Sequence, residues 1–372
     1  MDPQRVFCPN TDCPARGQIR QGNIGVHSQK ERRYICHVCE KTFVESRGTP
    51  LYRLHHEAEL FFTVVTLLAH GCPPQAVVAA YQLDERTVAD WQARAGQHSQ
   101  AVHEHLVEQP RDLGHVQADE IRAKLQGMVV WVAMAIMVGT RLWLGGAVSP
   151  HRDEAVVTRL MAKVRACALA RPLLICVDGF AGYLGAIRSI FRSPLPSGQR
   201  GRPTLIAWSE IHIGQVIKQH QGKRLVGVLR RMAQGSWETA QALIAHSDGG
   251  QALNTAFIER LNATFRARLT ALTRRTRCLA REEQTLHSAM YLIGTVYNFC
   301  TEHDSLRLKL WVGERGFRWV HRTPAMAASL SDHCWSVKEL LSFHVPLSPW
   351  QPPVHRGRRS AHEIALIQRW SN

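Results

Sequence analysis

The chain has 372 residues, 45% of them apolar, which is enough for two or three domains with packed cores. Lys and Arg outnumber Asp and Glu by 46 to 30, and the resulting net charge of +16 favours nucleic acid or an anionic membrane surface as partner. The longest apolar run, residues 128–138, is too short to span a bilayer, and no charged, apolar and cleavage-site sequence opens the chain, so neither membrane insertion nor export is expected.

Residues 1–49 form the first module. Cys8 and Cys13 make one close pair and Cys36 and Cys39 another. Two such pairs on two turns can offer four thiolates in a tetrahedron, the arrangement one structural Zn2+ prefers. So small a module has little core and would need the metal to fold. Four reduced cysteines without metal, or disulfides in an oxidising compartment, are the other readings, and His27 or His37 could replace one thiolate. Arg16, Arg20, Lys30, Arg32 and Arg33 make DNA a plausible partner. The six remaining cysteines are scattered, which suits reduced, buried side chains.

Residues 52–98 read as three helices. The second, residues 74–81, is short, and Asp84 is a good N-cap for the third. Val88 and Trp91 should pack inward, leaving Arg86, Thr87, Asp90 and Arg94 outside. That is the layout of a helix-turn-helix whose last helix enters the major groove, with Arg86, Thr87 and Arg94 as candidate DNA contacts. A plain three-helix bundle is the alternative.

From residue 112 the pattern turns to strands. HVQADEI is an expected first strand carrying Asp119. Residues 128–138 and 141–148 read as a hairpin, residues 153–170 as an amphipathic helix, and residues 173–177 as a buried strand ending at Asp178. A basic Pro/Gly loop covers residues 192–204, another strand residues 225–229, and two helices follow, one holding Glu259 and one running through residues 287–299. This order predicts an α/β domain, a mixed sheet with flanking helices, over residues 112–310 with an insertion near 190–235. Residues 311–372 would be a C-terminal extension, loosely held from about residue 348.

Asp119, Asp178 and Glu259 are the candidate catalytic residues. Two aspartates on adjacent central strands and a glutamate on a late helix could hold two Mg2+ (or Mn2+) ions, which hard oxygen ligands suit. Glu120 rivals Asp119; Glu210 and Glu238 rival Glu259. On the helix of Glu259, Ile258, Leu261, Phe265, Leu269 and Leu272 form the expected buried stripe. Asn262 and Arg266 lie one and two turns from Glu259, and Arg268, Arg274 and Arg275 follow as candidate DNA contacts.

The stretch NTAFIERLNATFRARLTALTRRTRCLAR resembles the glutamate motif of DDE transposases of the insertion-sequence-one type. The cysteine module followed by a helix-turn-helix is also similar to that family's layout. Tyr297-Asn298-Phe299 with His303, Leu306 and Thr323-Pro324-Ala325 is similar to the tail of the catalytic domain in many transposases and integrases. About 80 residues separate Asp178 from Glu259, more than in founding members of the family. The resemblance implies a ribonuclease-H-like catalytic domain with Asp119, Asp178 and Glu259 as metal ligands. It implies double-stranded DNA as partner, both the terminal inverted repeats and the target, and a homo-oligomer on paired ends. It also implies a cytoplasmic, nucleoid-associated protein. A zinc-finger regulator without catalysis and a purely hydrolytic nuclease are the alternatives.

Overall fold

A mixed six-stranded sheet organises the larger part of the molecule. The structure is a computed structural model describing residues 1–195, 201–222, 224–273, 282–313 and 316–371. Residues 61–340 form one compact unit; residues 1–60 and 341–372 form another.

The large unit opens with helices α1 (Ala58–Ala69, begun in the small unit), α2 (Pro74–Tyr81) and α3 (Glu85–Leu106). Asp84 caps α3 through the Arg86 amide, and Val88 and Trp91 are buried, as their spacing predicts. The third helix does not end near residue 98. Gly96 lets α3 press against α8 (Glu283–Cys300): a Cβ there would stand 2.3 Å from the Ser288 carbonyl oxygen. Thr295 then bonds the Ser99 carbonyl at 3.2 Å, and α3 continues as a buried helix.

Next come β4 (His115–Leu125), β5 (Met128–Met137) and β6 (Leu142–Ser149), an antiparallel meander. The helix α4 (Glu154–Cys167), capped by Asp153, crosses to β7 (Leu173–Val177), parallel to β4. The short helix α5 (Gly182–Ile190) and the small hairpin β8 (Arg192–Pro194) with β9 (Leu205–Ala207) lead to β10 (Ile211–Gln221), parallel to β7. An antiparallel edge strand, β11 (Arg224–Gln234), follows, then α6 (Trp237–His246) and α7 (Ala256–Arg268). The strand order is β11-β10-β7-β4-β5-β6.

Helices cover both faces. Val116, Ala118 and Ala133 pack with α4 and α5. Ile121, Ala123 and Val132, on the opposite face, pack with Ile258, Leu261 and Phe265 of α7 and with α8. Leu269 and Leu272 join that core from a 3-10 turn beyond α7, so the predicted stripe is buried along its whole length. Of the expected basic loop at 192–204, residues 192–194 form β8 and residues 196–200 lie outside the described residues; the expected strand at 225–229 falls in the first half of β11.

The edge strand β6 is closed off by Asn298. Its side-chain amide accepts from the Trp143 N–H and donates to the Trp143 carbonyl, both at 2.9 Å, beside a bulge at Leu144. A side chain thus stands where a further strand would pair. Beyond α8, β12 (Leu308–Trp311) and β13 (Phe317–Val320) form a hairpin, followed by α9 (Pro324–Ala327) and α10 (Val337–Ser342).

The small unit contains β1 (Ile24–Ser28), β2 (Arg33–Cys36) and β3 (Thr42–Val44), an antiparallel sheet, and the helix α11 (Ala361–Trp370). The end of the chain is not loose. Ser360 and Glu363 form a capping box on α11, and Trp370 is buried with Cys8, Cys13, Tyr34 and Phe43. Among the described residues no helix is long and apolar enough to cross a membrane.

Candidate functional site

The four cysteines converge. Cys8 and Cys39 place their sulfurs 3.6 Å apart, Cys13 and Cys36 3.8 Å apart, and all four lie within 4.8 Å of one another. A tetrahedron with Zn–S bonds near 2.3 Å has edges of about 3.8 Å, so this donor set fits one zinc ion without rearrangement. Burial pushes the Cys13 thiol up to about 12. Burial also acts on Cys39, but the Lys41 amide and the Asn10 side chain outweigh it and bring that thiol down to about 7. A bound cation would stabilise all four thiolates.

The acids gather at the sheet's switch point. From β4 the chain turns to β5 on one side; from β7 it moves outward to β10 on the other. Open sheets bind ligands at such a divide, outside the carboxyl ends of the parallel strands. Gln117 of β4 pairs with Cys176 of β7, so Asp119 and Asp178, each two residues on, come level on neighbouring strands. A cleft of about 840 Å³ opens there, lined among others by Asp119, Arg152, Asp178, Lys218, Glu259 and Arg266. All three predicted carboxylates therefore share one cavity. Glu210 is exposed just ahead of β10 and Glu238 is exposed in the first turn of α6, and neither lines the cleft.

Carboxylate oxygens of Asp119, Glu120 and Asp178 lie within 4.8 Å of one another. Glu259 is not part of that trio; it stands on the α7 wall. Burial, then the charges of Glu120 and Asp178, raise the Asp119 carboxyl to about 7. Burial and Asp178 push Glu120 up as well, against the pull of Arg152. Glu259 is shifted the other way. Burial raises it, but bonds from Lys218 Nζ at 2.6 Å and Thr255 Oγ1 at 2.7 Å prevail and hold it below the usual range. The donors are hard oxygens, crowded enough to repel one another, and they suit Mg2+ or Mn2+ rather than zinc.

Several residues that position this site carry no motif signal. Gln117 is buried and its Oε1 accepts from the Phe257 and Ile258 amides at 2.9 and 3.1 Å, satisfying two orphan donors of the first turn of α7. Asn262 donates to Asp119 Oδ2 at 2.9 Å and is 1% exposed. It is turned into the site and not outward to a phosphate, as its stripe suggested. Arg152 bonds both Glu120 (3.2 Å) and Asp178 (3.1 Å), with its guanidinium over the rings of Trp131 and Phe180. Lys218 sits where β10 leaves the core, in a segment whose alternation is broken by Gly214 and Gln215.

The other candidate DNA contacts are dispersed. Arg86 is exposed and Thr87 half-buried on α3, while Arg94 pairs with Asp90 at 2.8 Å. Arg266 reaches the cleft, but Arg268 bonds Thr301 at 3.2 Å. Arg274 and Arg275 lie outside the described residues. Tyr297 bonds His303 at 3.1 Å, and the Thr323 side chain caps α9.

No family model matches the chain, and no curated protein matches it.

Proposed function

We propose that the chain is a DNA transposase of the DDE type, with a ribonuclease-H-like catalytic domain. It would bind the terminal inverted repeats of an insertion sequence through the cysteine module and α1–α3, cut the ends, and join them to target DNA. The observation carrying this reading is that Asp119, Asp178 and Glu259, spread over more than a hundred residues of sequence, line one cleft in a strongly basic protein. Asp119 lies on β4, Asp178 directly follows the neighbouring strand β7 and Glu259 stands on α7, and carboxylates brought together in one cleft are the ligands that two-ion chemistry on phosphodiesters uses.

Asp119, Asp178 and Glu259 would hold two Mg2+ or Mn2+ ions, with Glu120 beside them as a further oxygen donor. Such ions, when bound, activate a water or 3′ hydroxyl and stabilise the leaving oxygen. The protein's own groups do the rest. Asn262 and the Glu120 amide fix the Asp119 carboxylate. Gln117 anchors the helix bearing Glu259 to the strand bearing Asp119. Arg152 and Lys218, which neutralise the acids in this structure, are placed to take up phosphate oxygens once cations replace them. Arg266 adds charge along the same wall. Paired ends imply two or more copies of the chain acting together.

The test uses DNA carrying the repeats that flank the coding sequence. Glu259→Gln should bind this DNA as wild type does and lose both nicking and strand joining in Mg2+. Nicking that persists would remove Glu259 from the ligand set. Hydrolysis without joined products in wild type would favour a nuclease, and binding without any cleavage a regulator.

A further inference from the structure

We propose that one face of the β12–β13 hairpin is a binding site for the unpaired bases of a single-stranded nucleic acid. The site stands apart from the acidic cleft, and holds whether or not that cleft cuts DNA.

Residues 305–322 read SLRLKLWVGERGFRWVHR, in which five Lys and Arg face a single acid. Cross-strand register pairs Lys309 with Trp319 and Trp311 with Phe317. Side chains alternate along a strand, so these four share a face, with Arg307 extending it. Leu308, Leu310, Arg318 and Val320 take the other face. The aromatic face is open: Trp311 is 73% exposed, Phe317 47% and Trp319 39%. Neighbouring rings meet edge to face, with centroids 6.0 and 5.7 Å apart, and so do not stack on one another. Cations lie against them instead. Lys309 is 4.0 Å from the Phe317 centroid and 5.2 Å from that of Trp311, and Arg307 is 4.3 Å from that of Trp319.

A two-stranded ribbon showing three large rings to water has no folding reason to do so. The chemistry that matches rings alternating with cations is a strand alternating bases with phosphates. A base takes a ring face by stacking, and the displaced ammonium or guanidinium moves onto the adjoining phosphate. A duplex offers the rings little, because its bases are already stacked on one another. An anionic bilayer fits less well. Lys309 sits among the rings and not behind them, so inserting the rings would carry its charge into hydrocarbon. A second copy of this ribbon would meet like charge.

The test uses the full-length, zinc-loaded protein without Mg2+. Probes are a fluorescent oligothymidine of about 12 nucleotides, an abasic oligomer of equal length and a duplex. Wild type should prefer oligothymidine over the abasic strand by about tenfold or more, given typical stacking on aromatic side chains. Trp311→Ala/Trp319→Ala should abolish that preference and leave duplex binding within about twofold. Trp311→Phe/Trp319→Phe should keep most of it, as should Leu308→Ala/Leu310→Ala on the opposite face. The proposal is overturned if wild type shows no preference, if the alanine pair retains it, or if the leucine pair loses it equally. It is also overturned if the alanine pair instead loses binding to phosphatidylglycerol vesicles or loses self-association, with the oligothymidine preference unchanged.

Discussion

The Asp119 carboxyl shows what the cleft costs the fold. Burial and three neighbouring acids raise it from 3.8 to about 7, so in the absence of divalent ions the folded state holds this proton when the unfolded chain has released it. The penalty is absent below 3.8, grows as pH rises from there to about 7, and is complete above; one pKa unit corresponds to about 1.4 kcal/mol, so it reaches roughly 4 kcal/mol. Wild type in Mg2+-free buffer, with zinc retained, should therefore lose unfolding free energy across that interval. Asp119→Asn should flatten the decline and be the more stable protein at pH 8, despite a weakened bond to Asn262. Adding Mg2+ should restore the wild type by mass action and leave the variant unchanged. Urea titrations at several pH values read all three effects, and parallel pH profiles for the two proteins would contradict this account of the site.

At the scale of elements, the question is what holds α7 against β4. Gln117 does so from beneath: it lies two residues before Asp119, on the same face of β4, and closes the first turn of α7. Gln117→Leu leaves the buried Ile258 amide and the part-buried Phe257 amide without their acceptor, at about 1–3 kcal/mol for the buried one and less for the other. The melting temperature should fall, hydrogen exchange at Phe257 and Ile258 should accelerate, and metal-dependent nicking should drop more than DNA binding does. Equal loss of binding and nicking would mean that α7 is not positioned this way. This anchor also shows where sequence is informative and where it is not. The stripe from Ile258 to Leu272 was legible because a helix against a sheet repeats its burial every three or four residues. The β5–β6 hairpin was legible from its apolar runs. The extent of β10 was not: its first six residues are buried and its last four exposed, so neither an apolar run nor an alternation persists. Gln117, Arg152 and Lys218 carry no periodic signal, because a polar side chain near an acid is defined by what lies across space. The acids themselves were legible only through their strand and helix contexts, which offered Glu120 as a rival to Asp119 and not as its companion at the site.

For the whole molecule, the small unit is built from both ends of the chain. The close cysteine pairs could be read as a metal module, but the return of α11 could not, since the burial of Trp370 depends on residues more than three hundred positions away. The apolar core of this unit is small, and its most buried members include Cys8, Cys13 and Cys36 themselves. Four thiolates a few ångströms apart repel one another without a cation, so zinc should be a condition of folding here and not an ornament. Chelation, or Cys13→Ser, should unfold residues 1–60 and 341–372 together while residues 61–340 keep their structure. Trypsin would then cleave rapidly at Arg16, Arg20 and Arg369, and leave a protected fragment containing the sheet. Thermal unfolding of the metal-loaded protein should show two transitions, of which only one responds to zinc. Truncation at residue 348 should weaken zinc retention, because removing Trp370 opens the core in which Cys8 and Cys13 are set. If chelation leaves both chain ends resistant to trypsin, the cysteine cluster holds no structural ion, and hydrophobic contacts with α11 alone would have to sustain the unit.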